Sequence, residues 1–496
     1  MQSDRGAYFL RTLVTISVFC TCHIAHGSLA YGQVRIPTAQ EVQATLSSVE
    51  PARQLAMATL LHELLRPPVP APGMEEALVT ARQSAPALVR LTQGDDPAVR
   101  EAAYIALAQV RAPGHVARPV WDAALQSPDP STRRAVAQAL AVYVDRSREV
   151  QGRTGIAVRY WLLEDLPQVL PVLARALADK DRRVTTDSLK ALQLIPVQLT
   201  WLSITPDTEA GKAAALSLVQ LCEGLQTSAP SVRQLLSTGP AEIQQMTCLA
   251  IEEWARLIDP RPDIVSGRPQ MPRGWLLDPQ MGPFGRQATE YVQRFLLDVL
   301  PGLVEAVKSG NATVRLAALE ALEIYGTKGR AAASAVEDLL TDGNAFVRWS
   351  AARTLGRIGS AHPPATVERL ARLLDDPDGD VRYAAAEAIG AFGTDARIAV
   401  PHLTKALASD DAPLQTSVLN ALAVIGPDAA PAVPALVKTL QAREARVRRL
   451  VPGALAALGS HAQSALPALQ AALHDPDPEV RQAAAAAILR ILTPAR

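Results

Sequence analysis

The feature that most constrains this fold is a repeat period of about 33 residues in the C-terminal part of the chain. Six units share one register position, which we call the marker, at spacings of 33 or 34 residues. The markers are Arg315, Arg348, Arg382, Gln415, Arg448 and Arg481. A period of this length is typical of a helix pair that stacks on copies of itself, because one pair cannot bury its apolar face alone.

Each unit also carries signals for the start and the end of its second helix. Four residues before the markers stand Asn311, Asn344, Asp378, Asp411, Glu444 and Asp477, nearly all N-capping types. Eleven residues after the first five markers stand Gly326, Gly359, Gly393, Gly426 and Gly459. Glycine favours the left-handed position that ends a helix. Three agreeing registers predict a series of helix–turn–helix units.

The period continues upstream with less regularity. Arg100 and Arg133 mark two clear units 33 residues apart, and the next marker, Thr185, follows only after 52 residues. An insertion of about one helix and a loop near 145–160 accounts for this longer interval. A weaker unit runs over 231–258, where the capping residue is missing.

Composition agrees with stacked helices and argues against one class of partner. Of 496 residues, 48% are hydrophobic but only 4% are aromatic, which suits thin helix-on-helix layers better than one globular centre. Lys plus Arg and Asp plus Glu both number 49, so the net charge is zero. Proteins that bind nucleic acid through phosphates are usually basic. We therefore expect no nucleic-acid partner.

The paired helices, the Asp-x-x-Val-Arg turn and the glycine-terminated second helix resemble HEAT repeats, particularly the short bacterial type that also occurs in phycobilisome lyases. The resemblance covers residues 86–492 and is strongest from 301 onward. It implies an all-α fold, an α-solenoid in which about ten antiparallel helix pairs form a right-handed superhelix. The second helices would line its concave side.

The resemblance also implies a ladder of Asp and Arg side chains between adjacent units. The matching residues are Asp378, Asp411 and Asp477 with Arg348, Arg382, Arg448 and Arg481. Gln415 and Thr185 depart from the pattern, so we expect the ladder to be broken at these two units.

The N-terminus predicts export. Arg5 and Arg11 precede an uncharged, mostly apolar run over 12–22, which has the length of a signal peptide and is too short for a membrane span. We predict a signal peptide over 1–30 and a secreted, periplasmic or cell-envelope protein. An uncleaved anchor or a buried strand is the alternative. No other apolar run reaches the roughly 20 residues of a membrane-spanning helix.

The predicted organisation has four further parts. Residues 31–85 form N-terminal helices and a Pro-rich loop, 86–258 form HEAT-like repeats that are irregular in the middle, and 291–496 form the regular array. Between them, 259–290 is a Pro/Gly-rich insertion whose 259–286 stretch we predict to lack regular structure. Its apolar residues favour a loop packed on the solenoid, with partner contact as the alternative.

Two cysteines follow the predicted signal, Cys222 and Cys248. In an oxidising compartment they form either a disulfide between neighbouring helices or two separately buried thiols.

No catalytic constellation stands out in the sequence. The HELLR run that starts at His62 lacks the second histidine of a zinc-protease helix, and no P-loop, GxGxxG or GxSxG motif occurs. We predict no enzyme activity, no metal and no cofactor. Asn311 begins a glycosylation pattern, but its register position explains it as a helix N-cap.

A partner surface is predicted on the second helices. The positions one and five residues after the marker lie on one helix face, and unlike the core positions they are mixed in character and partly aromatic. The candidate partner-binding residues are Glu320, Trp349, Arg353, Tyr383, Glu387, Asn420 and Arg449. The alternative is that the aromatic residues fill gaps between units and that the charges are solvated.

The leading interpretation is an exported HEAT-repeat scaffold that binds a protein or peptide on its concave surface, without catalysis. A lyase-like or enzyme-accessory HEAT protein is one alternative, and a structural spacer of the cell envelope is another. The sequence does not indicate the oligomeric state.

Overall fold

The computed structural model describes residues 37–64, 74–145, 156–199, 208–259 and 275–493. Within these ranges all regular elements are helices, which confirms the all-α prediction. The predicted signal peptide over 1–30 lies outside the described residues, as do 260–274 of the predicted insertion. The chain divides into two compact units: unit 1 extends to Ser228 and includes Leu276–Tyr291, and unit 2 comprises Ala229–Trp275 and Val292–Arg496.

The described residues of unit 1 up to Gly224 form ten α-helices. They are α1 (Ala39–Leu46), α2 (Pro51–Leu64), α3 (Met74–Gln83), α4 (Ala85–Leu91), α5 (Pro97–Gln109), α6 (Gly114–Ala124), α7 (Pro130–Val144), α8 (Ile156–Leu177), α9 (Arg182–Leu199) and α10 (Glu209–Gly224). The helices that follow a capped turn, α5, α7 and α9, pack each on the next, and so do α6, α8 and α10. This alternation is the packing expected of stacked helix pairs.

Unit 2 contains the regular array. Its helices are α11 (Ala229–Thr238), α12 (Ala241–Arg256), most of α13 (Gly282–Val307), α14 (Ala312–Tyr325), α15 (Ala333–Asp338), α16 (Ala345–Ile358), α17 (Pro363–Arg372), α18 (Gly379–Ala391), α19 (Val400–Ala406), α20 (Ala412–Ile425), α21 (Val433–Thr439), α22 (Ala445–Ala457), α23 (Leu466–Ala472) and α24 (Pro478–Leu492). The even-numbered helices from α12 to α24 are the second helices, and each packs on the next.

Small and branched apolar side chains fill the layers between second helices. Ala351 and Leu355 of α16 and Ala385 and Ile389 of α18 are fully buried. Alanine allows helices to approach closely, while leucine and isoleucine fill the remaining space at the density of a protein interior. Few aromatic residues are needed in such thin layers.

The predicted N-caps are confirmed for five of the six regular units. The side chains of Asn311, Asn344, Asp378, Asp411 and Asp477 accept N–H groups from the first turns of their helices. Glu444 occupies the cap position of α22, but its side chain makes no capping hydrogen bond.

The predicted glycine turns are also confirmed, with one difference in backbone geometry. The five glycines after α14, α16, α18, α20 and α22 all have positive φ, between 53° and 71°. At Gly326 and Gly359, however, ψ is −143° and −168°, so these residues adopt an extended mirror-image conformation instead of the left-handed helical one. That region is essentially restricted to glycine. A short 3₁₀ segment follows, as in Gly326–Ala332.

The prediction that 259–286 lacks regular structure is wrong from residue 275 onward. Two 3₁₀ turns, Trp275–Leu277 and Pro279–Met281, lead directly into α13 at Gly282. Leu276 and Met281 are almost fully buried. Their burial stabilises these turns, which a pattern of prolines and glycines does not predict.

Two further features bear on the sequence predictions. Cys222 and Cys248 are both free and buried, and burial raises the pKa of each thiol to about 12. Among the described residues, Ala412–Thr439 is long and apolar enough to be a membrane span by composition. Half of its most apolar 18-residue stretch is buried, however, and Gly426 divides it into α20 and α21.

Candidate partner-binding surface

The marker arginines hold adjacent units together, and they do so through a different aspartate from the one predicted. Arg348 forms a bidentate pair with Asp376 at 2.8 and 2.9 Å, and Arg448 forms one with Asp475 at 2.8 and 3.0 Å. The predicted partners Asp378 and Asp477 lie two residues later and cap helices instead. Only the predicted pair Arg382–Asp411 is confirmed, at 3.2 Å.

Each aspartate that pairs with a marker arginine, which we call a rung aspartate, has two functions. The carboxylate of Asp376 accepts hydrogen bonds from the guanidinium of Arg348 and from the backbone N–H of Asp378, the latter at 2.9 Å. Burial raises its pKa, but the hydrogen bonds from Arg348 and Asp378, with the charges of Arg348 and Arg382, bring that pKa below its ordinary value. The carboxylate therefore stays ionised and fixes the turn while it joins two units.

The ladder has the two predicted departures. Gln415 donates to the carbonyls of Ser409 and Leu407 at 2.7 and 3.1 Å, so it keeps the turn contact of a marker. The rung position, six residues before the marker, holds Asp342, Asp376 and Asp475 in other units. In the unit after Gln415 it holds Ala442, so both members of the ion pair are absent here. Thr185 donates to the carbonyl of Asp179 at 3.0 Å and likewise makes no ion pair.

The predicted partner-binding residues lie on the solvent-facing side of the second helices. Glu320, Glu387 and Asn420 are exposed, and Trp349, Arg353, Tyr383 and Arg449 are half-buried. The four-residue spacing thus placed these positions on one face of each helix correctly.

Trp349 and Arg353 form a stacked pair on α16. The guanidinium carbon of Arg353 lies 4.4 Å from the centroid of the Trp349 ring, within the range of a cation–π interaction. Arg353 also donates to Glu323 of α14 at 3.0 Å, and Arg357 approaches the same carboxylate at 3.7 Å. The aromatic ring is therefore held flat on a rigid ion-pair network.

Tyr383 of α18 belongs to the same surface without touching the Trp349 ring. Its hydroxyl donates to Glu387 at 2.7 Å. This hydrogen bond to a carboxylate, together with burial, raises the pKa of Tyr383, while the charge of Arg353 lowers it in part. The phenol of Tyr383 and the guanidinium of Arg353 thus lie near each other across α16 and α18.

Neither carboxylate of the predicted surface, Glu320 or Glu387, has an ion-pair partner among the described residues, but Glu387 accepts the hydroxyl of Tyr383 whereas Glu320 has no hydrogen-bond donor. Partial burial and the charges of Glu252 and Glu323 raise its pKa, and Arg256 and Arg353 oppose that effect. Glu252 and Glu323 are paired with Arg256 and Arg353 respectively. Excess negative charge therefore collects at Glu320, where a cation from a ligand would be stabilised.

The remaining two predicted residues differ in their contacts. Asn420 makes no side-chain hydrogen bond to a described residue. Arg449 is bound to Asp477 and, at 2.8 Å, to Glu479 of the next unit. Arg134 pairs with Asp181 in the same way, so an arginine one residue after the marker forms a second kind of rung.

Phe346 and Glu323 belong to this surface but were not predicted. The side chain of Phe346 is 72% exposed, and it stands three residues before Trp349 on the same face of α16. A three-residue step, the other same-face spacing of a helix, would have found both, because it leads back from Trp349 to Phe346 and on from Glu320 to Glu323. Among the described residues, no group of His, Cys, Asp and Glu side chains is arranged to hold a metal ion.

The sequence and the fold match one known family. A sequence model of the HEAT repeats matches residues 71–141, 300–390, 336–423 and 400–490, more than half of the chain. A comparison with curated proteins gives no match.

Three solved structures resemble the chain. An engineered protein is 20% identical, covers 53% of this chain and 96% of its own, and has a TM-score of 0.31. Importin beta is 14% identical, with coverages of 91% and 62% and a TM-score of 0.40. Kap121p is 16% identical, with coverages of 91% and 56% and a TM-score of 0.35. The chain thus spans little more than half the length of these last two proteins. On the repeats that match, the chain belongs to the HEAT-repeat proteins, with an α-solenoid fold.

Proposed function

We propose that the protein is an exported, non-catalytic scaffold that binds a protein or peptide segment on the second-helix surface of unit 2. In this proposal the helix pairs form a right-handed superhelix of about ten units, and this surface lies on its concave side. HEAT solenoids are commonly protein-interaction scaffolds, which supports the class of function.

The observation that carries the proposal is the arrangement of Phe346, Trp349 and Arg353 on α16. Aromatic and arginine side chains dominate the energy of protein interfaces, particularly where they are already rigid. Here the ring of Trp349 is held by Arg353, and Phe346 extends the apolar edge into solvent. Binding would therefore cost the side chains of Trp349 and Arg353 little additional entropy.

The charges indicate the chemistry of the partner. Glu320 has an unpaired carboxylate near the carboxylates of Glu252 and Glu323. A lysine or arginine of the partner would bind there, beside an apolar side chain placed against Phe346 and Trp349. Because the pKa of Glu320 is raised, we expect this contact to weaken on acidification at a higher pH than for an ordinary glutamate.

The experiment is photo-crosslinking in the native host, followed by binding measurements with the captured partner. Trp349→Ala with Tyr383→Ala should weaken capture at least tenfold while the urea midpoint changes little, and Glu320→Gln should weaken it several-fold. Ile398→Ala removes an exposed apolar side chain outside this surface and is the control. Unchanged capture with lowered stability would assign the aromatic residues to packing between units.

Crosslinking and one further assay separate the alternative functions. A structural spacer of the cell envelope would give no saturable partner. A lyase-like protein would form an adduct on incubation with bilin and an apo-phycobiliprotein.

Export has its own test. The proposal depends on the signal-like run over 12–22. We expect N-terminal sequencing of the protein from the native host to begin after residue 30. A mature protein that begins at Met1 would contradict export.

A further inference from the structure

A groove in unit 1 lies far along the sequence from the partner-binding surface. It has a volume of about 720 Å³ and is walled by α4, α5, α6 and the start of α7. Val89, near the end of α4, and Val116 and Pro119, in the first half of α6, contribute apolar walls. Thr92, Arg100 and Ser127 line it near the turns, so the groove combines apolar walls with polar groups. Its volume lies in the range of small-ligand sites.

Arg100 is a ladder arginine that lacks its aspartate. Its Nη1 donates to the carbonyls of Gly94 and Asp95, both at 2.8 Å, as the other marker arginines do to their own turns. The rung position opposite it in the next unit is Ser127, which is neutral. No carboxylate of a described residue lies within ion-pair distance of Arg100, so the outer edge of its guanidinium faces the groove without a partner.

Comparison with the other rungs shows that this arrangement is exceptional. Each other marker arginine that is followed by another unit in the described ranges pairs with a carboxylate of that unit: Arg133 with Asp179, Arg315 with Asp342, Arg348 with Asp376, Arg382 with Asp411 and Arg448 with Asp475. Where the rung position is Ala442, the arginine is itself replaced by Gln415. At Arg100 the positive charge is kept although the internal carboxylate is missing.

Tyr104 provides a second unsatisfied donor in the groove. Its side chain lines the groove, is only 6% exposed, and its hydroxyl has no hydrogen-bond partner among the described residues. Burial raises its pKa, while the charge of Arg100 lowers it and that of Glu101 raises it, so the phenol lies close to both residues. The hydroxyl oxygen itself is not enclosed but opens into the groove, where a ligand can accept its hydrogen bond in place of water.

The acidic groups nearby disfavour a ligand that carries more than one negative charge. Asp129 also lines the groove, and its carboxylate accepts the N–H and the hydroxyl of Ser131 and the hydroxyl of Thr132. The hydrogen bonds from Ser131 lower its pKa, so it stays ionised. Glu101 lies on the other side of the same Ser131 hydroxyl, whose single hydrogen the two carboxylates share. These fixed charges would repel a phosphate dianion more strongly than a carboxylate.

We propose that this groove binds the C-terminal carboxylate of a peptide. The outer edge of Arg100 and the hydroxyl of Tyr104 receive the carboxylate, and the last apolar side chains of the peptide lie between Val89 and Val116. The ligand thereby supplies the carboxylate that an aspartate supplies in the other rungs. A bidentate arginine–carboxylate pair of this kind is among the stronger polar contacts in proteins.

The test uses the full-length chain and fluorescein-labelled Val-Leu-Leu-Val, with fluorescence anisotropy as the readout. We expect the free acid to bind at least tenfold more tightly than its C-terminal amide. Arg100→Gln introduces the residue found at position 415, where glutamine keeps the turn contacts. It should weaken binding of the free acid at least tenfold. Tyr104→Phe should weaken binding of the free acid about threefold. Arg481→Gln changes an exposed marker outside the groove and should leave binding unchanged.

The decisive variant is Ser127→Asp, because it restores the missing rung. Its carboxylate should pair with Arg100, raise the melting temperature and abolish binding of the acid, which separates loss of the site from loss of the fold. Equal binding of acid and amide, unchanged binding by Ser127→Asp, or no binding at millimolar acid would overturn the proposal. Tighter binding of dodecanoate than of the peptide acid would overturn the assignment to a peptide.

Discussion

The marker arginine combines a contact within its own turn with a contact to the next unit. Its Nη1 binds carbonyls five or six residues earlier, as Arg348 does at Asp342, and its outer edge reaches an aspartate of the next unit except at Arg100 and at the last marker, Arg481. Gln415 shows that the first contact does not need a charge. The contact to the aspartate of the next unit does need a positive charge. This requirement explains why arginine recurs at the marker.

The two contacts can be separated by substitution. Arg348→Gln should keep the turn but leave the buried carboxylate of Asp376 unpaired, which costs about 1–3 kcal/mol of the free energy of unfolding. Adding Asp376→Ala reproduces the natural Gln415–Ala442 combination and should recover part of that loss, since it removes the unpaired carboxylate but also the acceptor for the N–H of Asp378. Urea unfolding of both variants measures this coupling. A double variant less stable than Arg348→Gln alone would contradict it.

Acid should weaken the ladder in a defined pH range. Hydrogen bonding to Arg134, together with the N–H groups of Arg183 and Val184 and the charge of Arg134, lowers the pKa of Asp181 from 3.8 to about 2, although burial opposes this. A lowered folded-state pKa gives stability that is present above pH 4 and is lost as the pH falls through about 2.

Asp181→Asn keeps a capping oxygen but removes the charge. We expect it to cost about 0.5–1 kcal/mol at pH 7, with the difference from the unsubstituted protein vanishing near pH 2. Unfolding curves between pH 7 and pH 2 measure this. A difference that persists at pH 2 would show that the charge is not responsible.

Helix ends are the elements that the sequence predicted best, because each depends on one residue and its own backbone. The caps at Asn311 and Asp477 and the turn at Gly326 follow from local chemistry alone. The rung partner was predicted wrongly because Asp376 and Asp378 both stand in the same turn. Only the geometry between two helices decides which carboxylate Arg348 reaches.

Backbone geometry at these turns predicts a clear difference between two glycines. Gly326 has a φ of +53° and Gly310 has no unusual φ, while a Cβ atom would meet nothing within 4 Å at either position. Gly326→Ala should therefore cost about 1–3 kcal/mol from backbone strain alone. Gly310→Ala should change stability by less than about 0.5 kcal/mol. Thermal unfolding of both variants compares them, and equal costs would contradict the role of φ.

At the scale of the whole molecule, periodicity predicted which faces the residues occupy but not which residues meet. The spacing placed Trp349, Tyr383 and Glu320 on exposed helix faces. It did not predict that Arg353 covers Trp349, because that pairing is set by Glu323 on another helix. The turns over 275–281 were missed since their apolar residues do not repeat.

The two buried cysteines report on the two units separately. Cys222 lies in unit 1 and Cys248 in unit 2, both with thiol pKa values near 12. We expect iodoacetamide to leave both unmodified in the native protein and to modify both in urea, with or without a reductant. Peptide mass spectrometry assigns each site. Modification in urea only after reduction would indicate a disulfide.

The joint between α20 and α22 gives the array a built-in weak seam. At every other joint from Arg315 to Asp475 an arginine and an aspartate fasten the turns together, whereas Gln415 faces Ala442 and only apolar packing remains. Under mechanical tension along unit 2, the stack should part first at this seam. Optical-tweezers unfolding of a Gln415→Arg, Ala442→Asp variant should shift the first rupture to higher force, and an unchanged force would place the fracture elsewhere.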